Sequence, residues 1–175
     1  MAEAILAGGC FWCTEAVFGQ LAGVSKVESG YIGGQVDNPS YKAVCTGTTG
    51  HAEAIRVTFD PAVISHADLL DVFFVTHDPT QLNRQGGDIG TQYRSAVFLV
   101  DGNERGEIEA AIVRAQAERS EPIVTSIEGP ATWWPAEDYH QEYWEGEGQR
   151  NPYCMAVIPP KLAKLKKGFA GKLKA

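Results

Sequence analysis

The segment HAEAIRVTFDP, residues 51–61, constrains the fold most strongly because its apolar and polar side chains alternate. Ile55, Val57 and Phe59 share one face, and polar residues separate them. A period of two is that of a β-strand, in which successive side chains point to opposite sides of the sheet. The segment is therefore predicted to be a strand with one face on a hydrophobic core.

Segments with helical periodicity alternate with further strand-like segments. Ser65 and Asp68 form a capping-box pattern at the start of an apolar helix, and a second helical pattern runs through Ile108. Three short apolar segments predict additional strands: AILA at 4–7, YRSAVFLVD at 93–101 and IVTSI at 123–127. The glycine-rich GYIGG at 30–34 is instead typical of a loop. This alternation predicts an α+β fold.

Charge is divided unevenly along the chain. All 22 acidic residues and nine of the 15 basic ones precede Lys161, which leaves −13 for residues 1–160 and +6 for residues 161–175. We find no internal repeat or linker, and we therefore predict one domain over residues 1–160 followed by a basic tail. The acidic body argues against nucleic-acid binding, because phosphate contacts require clustered Lys and Arg.

The tail KLAKLKKGFAGKLKA places Leu162, Leu165, Phe169 and Leu173 at helical spacing. It is predicted to be a short amphipathic helix or a frayed end, with solvated lysines and with leucines packed on the acidic body. Contact with an acidic surface or a membrane is the alternative. The chain has no apolar stretch as long as a membrane span, and its N-terminal MAEAILAGG lacks the basic region of a signal peptide. We therefore expect a cytoplasmic protein without a membrane partner.

The stretch GGCFWCTE, residues 8–15, carries two closely spaced thiols. Cys10 and Cys13 stand at a predicted helix start, where the helix dipole stabilises a thiolate and lowers its pKa. Such a pair suits thiol–disulfide exchange, but the bulky Phe11 and Trp12 between the cysteines are more typical of pocket walls. The pair is also half of a zinc site, although the other cysteines and the four histidines supply no second ligand pair at short spacing. Inert cysteines beside core aromatic residues are the third interpretation.

Glu53 has the same parity as Ile55 and Val57, so the strand pattern directs its carboxyl group toward the core. Burial favours the neutral form of a carboxyl group and raises its pKa, and a neutral carboxyl is what a general acid requires at neutral pH. The alternative is that Glu53 lies at the end of the strand and reaches solvent. The sequence therefore offers Glu53 as a candidate proton donor.

Five blocks of sequence together resemble a known family. They are GCFW, GYIGG, NPSYKAVCTGTTGHAEAIRVTFDP, HDPTQLNRQGGDIGTQYRS and AEDYHQEY, in this order between residue 8 and about residue 154. These blocks are similar to those of the peptide methionine sulfoxide reductase A family. The resemblance implies a two-layer α/β sandwich of ferredoxin-like type, with a mixed sheet and flanking helices. It also implies an enzyme that reduces methionine S-sulfoxide, free or within proteins, to methionine and so repairs oxidative damage.

The resemblance further implies a role for each matching residue. Cys10 would be the nucleophile that becomes a sulfenic acid, and Phe11 and Trp12 would hold the S-methyl group of the substrate. The other site residues would act around the sulfoxide oxygen: Glu53 as the acid, Tyr41 and Tyr93 as hydrogen-bond donors, and Asp88 as an organising residue. No metal, flavin or other cofactor is required.

A second thiol must then form a disulfide with Cys10, and thioredoxin or a similar dithiol would reopen it. Cys154 matches the family's C-terminal position and follows the turn-forming segment GEGQRNPY, which would let it approach Cys10. Cys13, one helical turn from Cys10, is the alternative, and Cys45 is interpreted as structural. We expect a monomer. A general thiol–disulfide oxidoreductase that uses Cys10 and Cys13 is the rival function.

Overall fold

A computed structural model describes residues 1–175 and is built around one large sheet. The strands are β1 (Ala2–Gly8), β2 (Val24–Ile32), β3 (Ala52–Phe59), β4 (Arg84–Gln85), β5 (Asp88–Ile89), β6 (Ser95–Phe98), β7 (Ser126–Glu128) and β8 (Trp134–Pro135). Six of them form a sheet in the order β7-β6-β1-β3-β2-β8, and β4 pairs with β5 in a separate hairpin. Neighbours in the large sheet are antiparallel except β6 and β7, so the sheet is mixed.

The helices cover one face of this sheet. They are α1 (Phe11–Phe18), α2 (Tyr41–Cys45), α3 (His66–Thr76), α4 (Arg105–Ala117) and α5 (Pro152–Phe169). All five contribute to a core cluster of 24 buried residues, which also includes one face of the strands. The opposite face of the sheet carries a smaller cluster of strand residues, against which Trp133 packs. The chain therefore has a mixed α/β architecture, and the prediction of a mixed sheet with flanking helices is confirmed.

Strand β3 follows the predicted alternation. Ile55 and Val57 belong to the cluster beneath the helices, whereas Ala52 and Ala54 belong to the cluster on the other face. Glu53 is directed to the helix side and is 1% exposed. The strand prediction is confirmed, and Glu53 is buried rather than exposed at a strand end.

Helix α3 begins at the predicted capping box. The Ser65 hydroxyl accepts the backbone N–H of Asp68 at 3.0 Å, and the Asp68 carboxylate accepts the N–H of Ser65 at 3.3 Å. These two bonds satisfy backbone donors that the first turn of a helix leaves free, a contribution of about 1 kcal/mol. Ile108 is buried in α4 as its helical pattern predicts.

The prediction that GYIGG is a loop is wrong for its first three residues. Gly30, Tyr31 and Ile32 belong to β2 and pair with β3 in the large sheet. A Cβ atom at Gly30 would approach the carbonyl oxygen of Trp134 to 2.6 Å and would collide with the Trp133 ring. The glycine is therefore a site of close approach between strands, which local propensity interprets as a turn.

Replacement of Gly30 by alanine should destabilise the fold by about 1–3 kcal/mol, because the added methyl group has no space against Trp133 and Trp134. Urea unfolding of the purified variant measures this difference. Gly106→Ala is the matched control, since a Cβ there meets nothing within 4 Å and Gly106 lies in α4. The control should be as stable as the parent or slightly more stable. Equal stability of the Gly30 variant and the parent would contradict the prediction.

The C-terminal residues pack on the body as predicted. Leu165 is 1% exposed, and Leu162, Phe169 and Leu173 are partly buried against the main core. Lys161 departs from the prediction of solvated lysines. It is half-buried, and its Nζ donates to the backbone carbonyl of a residue in α3 at 2.8 Å.

Helix α5 is continuous across the predicted boundary after residue 160, and the division into body and tail stays a prediction. None of the helices combines the length and the apolar composition that a membrane crossing needs.

Candidate active site

Cys10 lies in the turn between β1 and α1. Gly9 before it has a φ of +94°, and a Cβ atom there would approach the Gln85 side chain to 2.7 Å, so the turn requires glycine. Cys10 occupies the N-cap position of α1, where its carbonyl oxygen accepts the N–H of Cys13 at 3.1 Å. Cys10 is 9% exposed. The turn thus holds one thiol at the N-terminus of a helix and close to the protein surface.

Glu53 approaches this turn from β3. Its Oε1 accepts the backbone N–H of Phe11 at 3.1 Å, although 42 positions separate the two residues in sequence. Its Oε2 is buried and has no hydrogen-bond partner. Burial raises the pKa of Glu53 to about 8; the Phe11 N–H opposes this shift, and the charges of Asp88 and Cys13 add to it. At neutral pH the carboxyl group is therefore mostly protonated, and it has one oxygen free for a substrate.

Tyr41 and Tyr93 carry two phenols close enough to this carboxyl group for its charge to affect their pKa values. Tyr41 begins α2, where its N–H donates to Glu137 at 2.9 Å, and Tyr93 ends a short 3-10 helix, Thr91–Tyr93. Burial, followed by the charge of Glu53, raises the pKa of both phenols above the ordinary value of 10. Both side chains therefore stay protonated and can donate hydrogen bonds.

A cavity of about 160 Å³ opens on another side of the thiol. Its lining includes Cys10, Cys13, Asp88, Tyr153 and Lys161, whereas the buried carboxyl group and the two phenols do not line it. Asp88 begins β5 and accepts the hydroxyl of Tyr153. The structure therefore places the predicted site residues in two groups, with Cys10 between them.

Aromatic rings enclose the two residues that follow Cys10. Phe11 is fully buried, and its ring centroid lies 5.6 Å from that of Tyr31 and 6.3 Å from that of Tyr41. Trp12 stacks on Tyr143 with a centroid distance of 4.0 Å and an interplanar angle of 14°. The rings form apolar walls next to the thiol.

His140 holds the Trp12 indole, a contact that sequence reasoning missed. The Trp12 Nε1–H donates to His140 Nδ1 at 3.0 Å, so the imidazole carries its proton on Nε2. Burial lowers the pKa of His140, which keeps the ring neutral. His140 and Tyr143 both belong to the AEDYHQEY block, but no local pattern indicates that this block folds back over Trp12.

Three of the four cysteines meet at the site. Cys10, Cys13 and Cys154 belong to one buried cluster, and Cys45 is exposed outside it. Turns and a short 3-10 helix, Glu147–Arg150, precede Asn151 as the turn-forming segment predicts, whereas its last two residues, Pro152 and Tyr153, already belong to α5. Cys154 lies in the first turn of α5, which Asn151 caps, and it is already packed against α1.

Cys10 and Cys13 shift each other's pKa in opposite directions. A hydrogen bond to Cys13, followed by burial, raises the pKa of Cys10 well above its ordinary value. The same hydrogen bond lowers the pKa of Cys13, because Cys13 is the acceptor. The two thiols titrate as a pair, and the prediction that the helix start lowers the pKa of Cys10 stays a prediction. Burial raises the pKa of Cys154 to about 11, so this residue is a neutral thiol.

No group of three or more His, Cys, Asp or Glu side chains is arranged to hold a metal ion. A larger cleft of about 610 Å³ passes Glu15 on α1, but it contains neither a cysteine nor any of the predicted site residues. The chemistry therefore concentrates at Cys10 and the small cavity rather than at the larger cleft.

Comparisons with known proteins agree with this arrangement. A family model described as peptide methionine sulfoxide reductase matches residues 2–173. A peptide methionine sulfoxide reductase MsrA of Erwinia tasmaniensis is 68% identical over 167 residues, which cover 95% of this chain and 94% of that protein. An MsrA of Deinococcus radiodurans is 58% identical over 174 residues, covering 98% of this chain and 84% of that protein.

Solved structures also match. Reduced Mxr1 from Saccharomyces cerevisiae has a TM-score of 0.76 and 36% identity, with 86% of each chain covered. Mxr1 in complex with Trx2 has a TM-score of 0.56 and 25% identity, covering 79% of this chain and 83% of that chain. Methionine sulfoxide reductase A of Corynebacterium diphtheriae has a TM-score of 0.73 and 33% identity, covering 86% and 74%. The chain therefore belongs to the peptide methionine sulfoxide reductase family.

Proposed function

We propose that this protein reduces methionine S-sulfoxide, free or within oxidised proteins, to methionine. One observation carries the proposal: a buried, protonated Glu53 lies beside Cys10 and keeps one oxygen free of partners. A sulfoxide sulfur is a poor electrophile because its S–O bond must lose a basic oxygen. A neutral acid at that oxygen makes attack by a thiol feasible, since it neutralises the charge as it develops.

In the first step the Cys10 sulfur attacks the sulfoxide while Glu53 gives a proton to the sulfoxide oxygen. Cys10 loses its own proton along the hydrogen bond to Cys13. In sum, one thiol and one sulfoxide become one sulfenic acid and one thioether, so the oxygen leaves methionine and remains on Cys10. Tyr41 and Tyr93 donate hydrogen bonds to the oxygen before it is transferred.

The other proposed roles follow from position. Phe11 and Trp12 hold the S-methyl group, because their rings are enclosed by further aromatic side chains and form an apolar wall beside the thiol. Asp88 organises the opposite side, where it accepts the Tyr153 hydroxyl in the cavity that Cys10 shares.

In the second step another cysteine attacks the sulfenic acid, which releases water and leaves a disulfide. Cys154 and Cys13 are both candidates, because both belong to the buried cluster around Cys10. We propose that a thioredoxin-type dithiol then reduces the disulfide. The complex of Mxr1 with Trx2 supports a partner of this kind.

We also propose a ferredoxin-like core. The strand order β6-β1-β3-β2 supports it, as do the helices that follow β1 and β3. We further propose that the protein is a monomer. We propose a cytoplasmic location because a reaction that begins with free thiols suits a compartment that keeps thiols reduced.

With dithiothreitol as reductant, the protein should turn over the S epimer of a methionine sulfoxide substrate and leave the R epimer unchanged. The wall of Phe11 and Trp12 fixes the methyl group and Glu53 fixes the oxygen, so only one configuration presents its sulfur to Cys10. Methionine release from each pure epimer measures this selectivity.

Reduction of insulin disulfides serves as the control for the rival function. A general thiol–disulfide oxidoreductase would reduce insulin and would not need Glu53. Turnover of both epimers, or rapid insulin reduction without methionine formation, would contradict the proposed function.

A further inference from the structure

Lys161 is the one cation that lines the cavity beside Cys10. Its Nζ donates to the carbonyl oxygen of Thr76 at 2.8 Å, which fixes the ammonium group between α5 and α3. Burial lowers the pKa of Lys161 from its ordinary value, and the neighbouring thiols oppose that shift. A lysine in a basic tail would be expected to extend into water, so this position requires a reason.

The cavity is lined by only one of the two candidate resolving cysteines. Cys13 lines it together with Cys10 and Lys161, whereas Cys154 is fully buried and does not line it. Cys10 and Cys13 therefore border one common space, which Cys154 does not reach. The N–H of Cys13 also donates to the carbonyl of Cys10 at 3.1 Å, so the two residues share one tight turn.

The charges of the two thiols point the same way. The hydrogen bond from Cys10 lowers the pKa of Cys13, and the charge of Lys161 lowers it further. Burial of the thiol opposes both effects. Burial raises the pKa of Cys154 to about 11. Because the thiolate is the nucleophile in disulfide chemistry, Cys13 is the better attacking group at neutral pH.

We propose that Lys161 is a positioning residue for the second step, in which its ammonium group stabilises the thiolate of Cys13 as that sulfur attacks the sulfenic acid on Cys10. This inference rests on the function proposed above, because that reaction supplies the sulfenic acid. A sulfur–sulfur bond forms between Cys10 and Cys13, and the Cys10 sulfur–oxygen bond breaks. The hydroxide leaves as water with the proton that the Cys13 thiol gives up as it becomes the attacking thiolate, so no further oxidant is needed.

Several other groups face this pair and contribute to its pH dependence. Around Cys13 they are Cys10 at the N-cap of α1, Glu53 on β3, Asp88 on β5, and Tyr153, Cys154 and Lys161 on α5. Around Lys161 they also include Lys164 on α5, and His77 and Asp78 after α3. Lys161 is the only cation in the first set, so its removal should raise the pH at which Cys13 ionises.

The test mixes the reduced protein with an excess of methionine sulfoxide and adds no external reductant. Methionine released reports the first step, and the loss of alkylatable thiols in acid-quenched samples reports disulfide formation. In Lys161→Met we expect one methionine per protein as before. Disulfide formation should be about tenfold slower at neutral pH, with its midpoint about one pH unit higher, because one nearby charge is lost.

Lys161→Arg keeps the charge and should keep both the rate and the midpoint near those of the parent. Lys167→Met removes an exposed charge from the same helix and should change neither. An unchanged midpoint in Lys161→Met would overturn the proposal.

Two cysteine variants keep the test decisive if the lysine variant folds poorly. Under the same conditions, Cys13→Ser should still release one methionine per protein, more slowly because it lacks the thiol that accepts the Cys10 proton, but should form no disulfide with Cys10. Cys154→Ser should still form that disulfide. Mass mapping of the disulfide identifies the pair. The reverse pattern would overturn the proposal and assign the second step to Cys154, while absence of methionine release in the parent protein would instead refute the proposed function.

Discussion

Replacement of Cys10 by serine should abolish methionine formation, including the single turnover that the parent protein completes without a reductant. A serine hydroxyl is a far weaker nucleophile than a thiol, and it cannot accept the oxygen as a stable sulfenic acid. The expected result is no burst above background when the variant is mixed with excess S-sulfoxide. Rapid-quench measurement of methionine per protein provides the readout.

Cys45→Ser is the matched control for this experiment. It makes the same chemical change at an exposed cysteine outside the buried cluster, and its burst should equal that of the parent. A burst of normal amplitude in Cys10→Ser would mean that Cys13 or Cys154 attacks the sulfoxide, and the role proposed for Cys10 would fall.

The sequence predicts those parts of the fold that depend on neighbouring residues. The alternation in β3 correctly places Glu53 on the core side, and the pair Ser65 and Asp68 correctly marks the start of α3. Both signals are local, because side-chain period and helix capping involve residues only a few positions apart.

The sequence does not predict contacts between distant segments. Gly30 lies in a strand because Trp133 and Trp134 pack against it, although they lie about a hundred positions away. Lys161 is half-buried because α5 lines the cavity and the ammonium group binds the Thr76 carbonyl, yet its local pattern is that of a solvated basic tail. Tertiary packing decided each of these positions against its local propensity.

The candidate site shows the same division. The resemblance named Cys10, Glu53 and the two phenols, but the pairing of Glu53 with the Phe11 N–H and the unpartnered Oε2 exist only in the folded chain. The contact between Cys10 and Cys13, which couples the pKa values of the two thiols, is likewise a property of packing.

Replacement of Glu53 by glutamine should slow the first turnover by about a hundredfold or more, since an amide can donate a hydrogen bond but cannot deliver a proton. In the parent, Glu53 has a pKa of about 8 and is protonated below that pH. The single-turnover rate of the parent should therefore fall as pH rises through about 8. The variant should be slow at every pH and should lack this decline, which a pH series of burst measurements would reveal.

Stability measurements separate lost chemistry from lost folding in this variant. The pKa of Glu53 is raised from 4.5 to about 8 in the native state, so between these values the native protein holds a proton that the unfolded chain has released. This group therefore stabilises the fold at low pH, and its contribution is lost as pH rises through the folded-state value. Glu53→Gln removes that pH dependence, and relative to the parent the variant should gain stability at alkaline pH.

Glu15→Gln is the matched control. Glu15 is another buried carboxyl group, whose pKa burial raises to about 7, and it lies outside the Cys10 cavity. That control should keep the decline in rate near pH 8, and an unchanged first turnover in Glu53→Gln would refute the acid role.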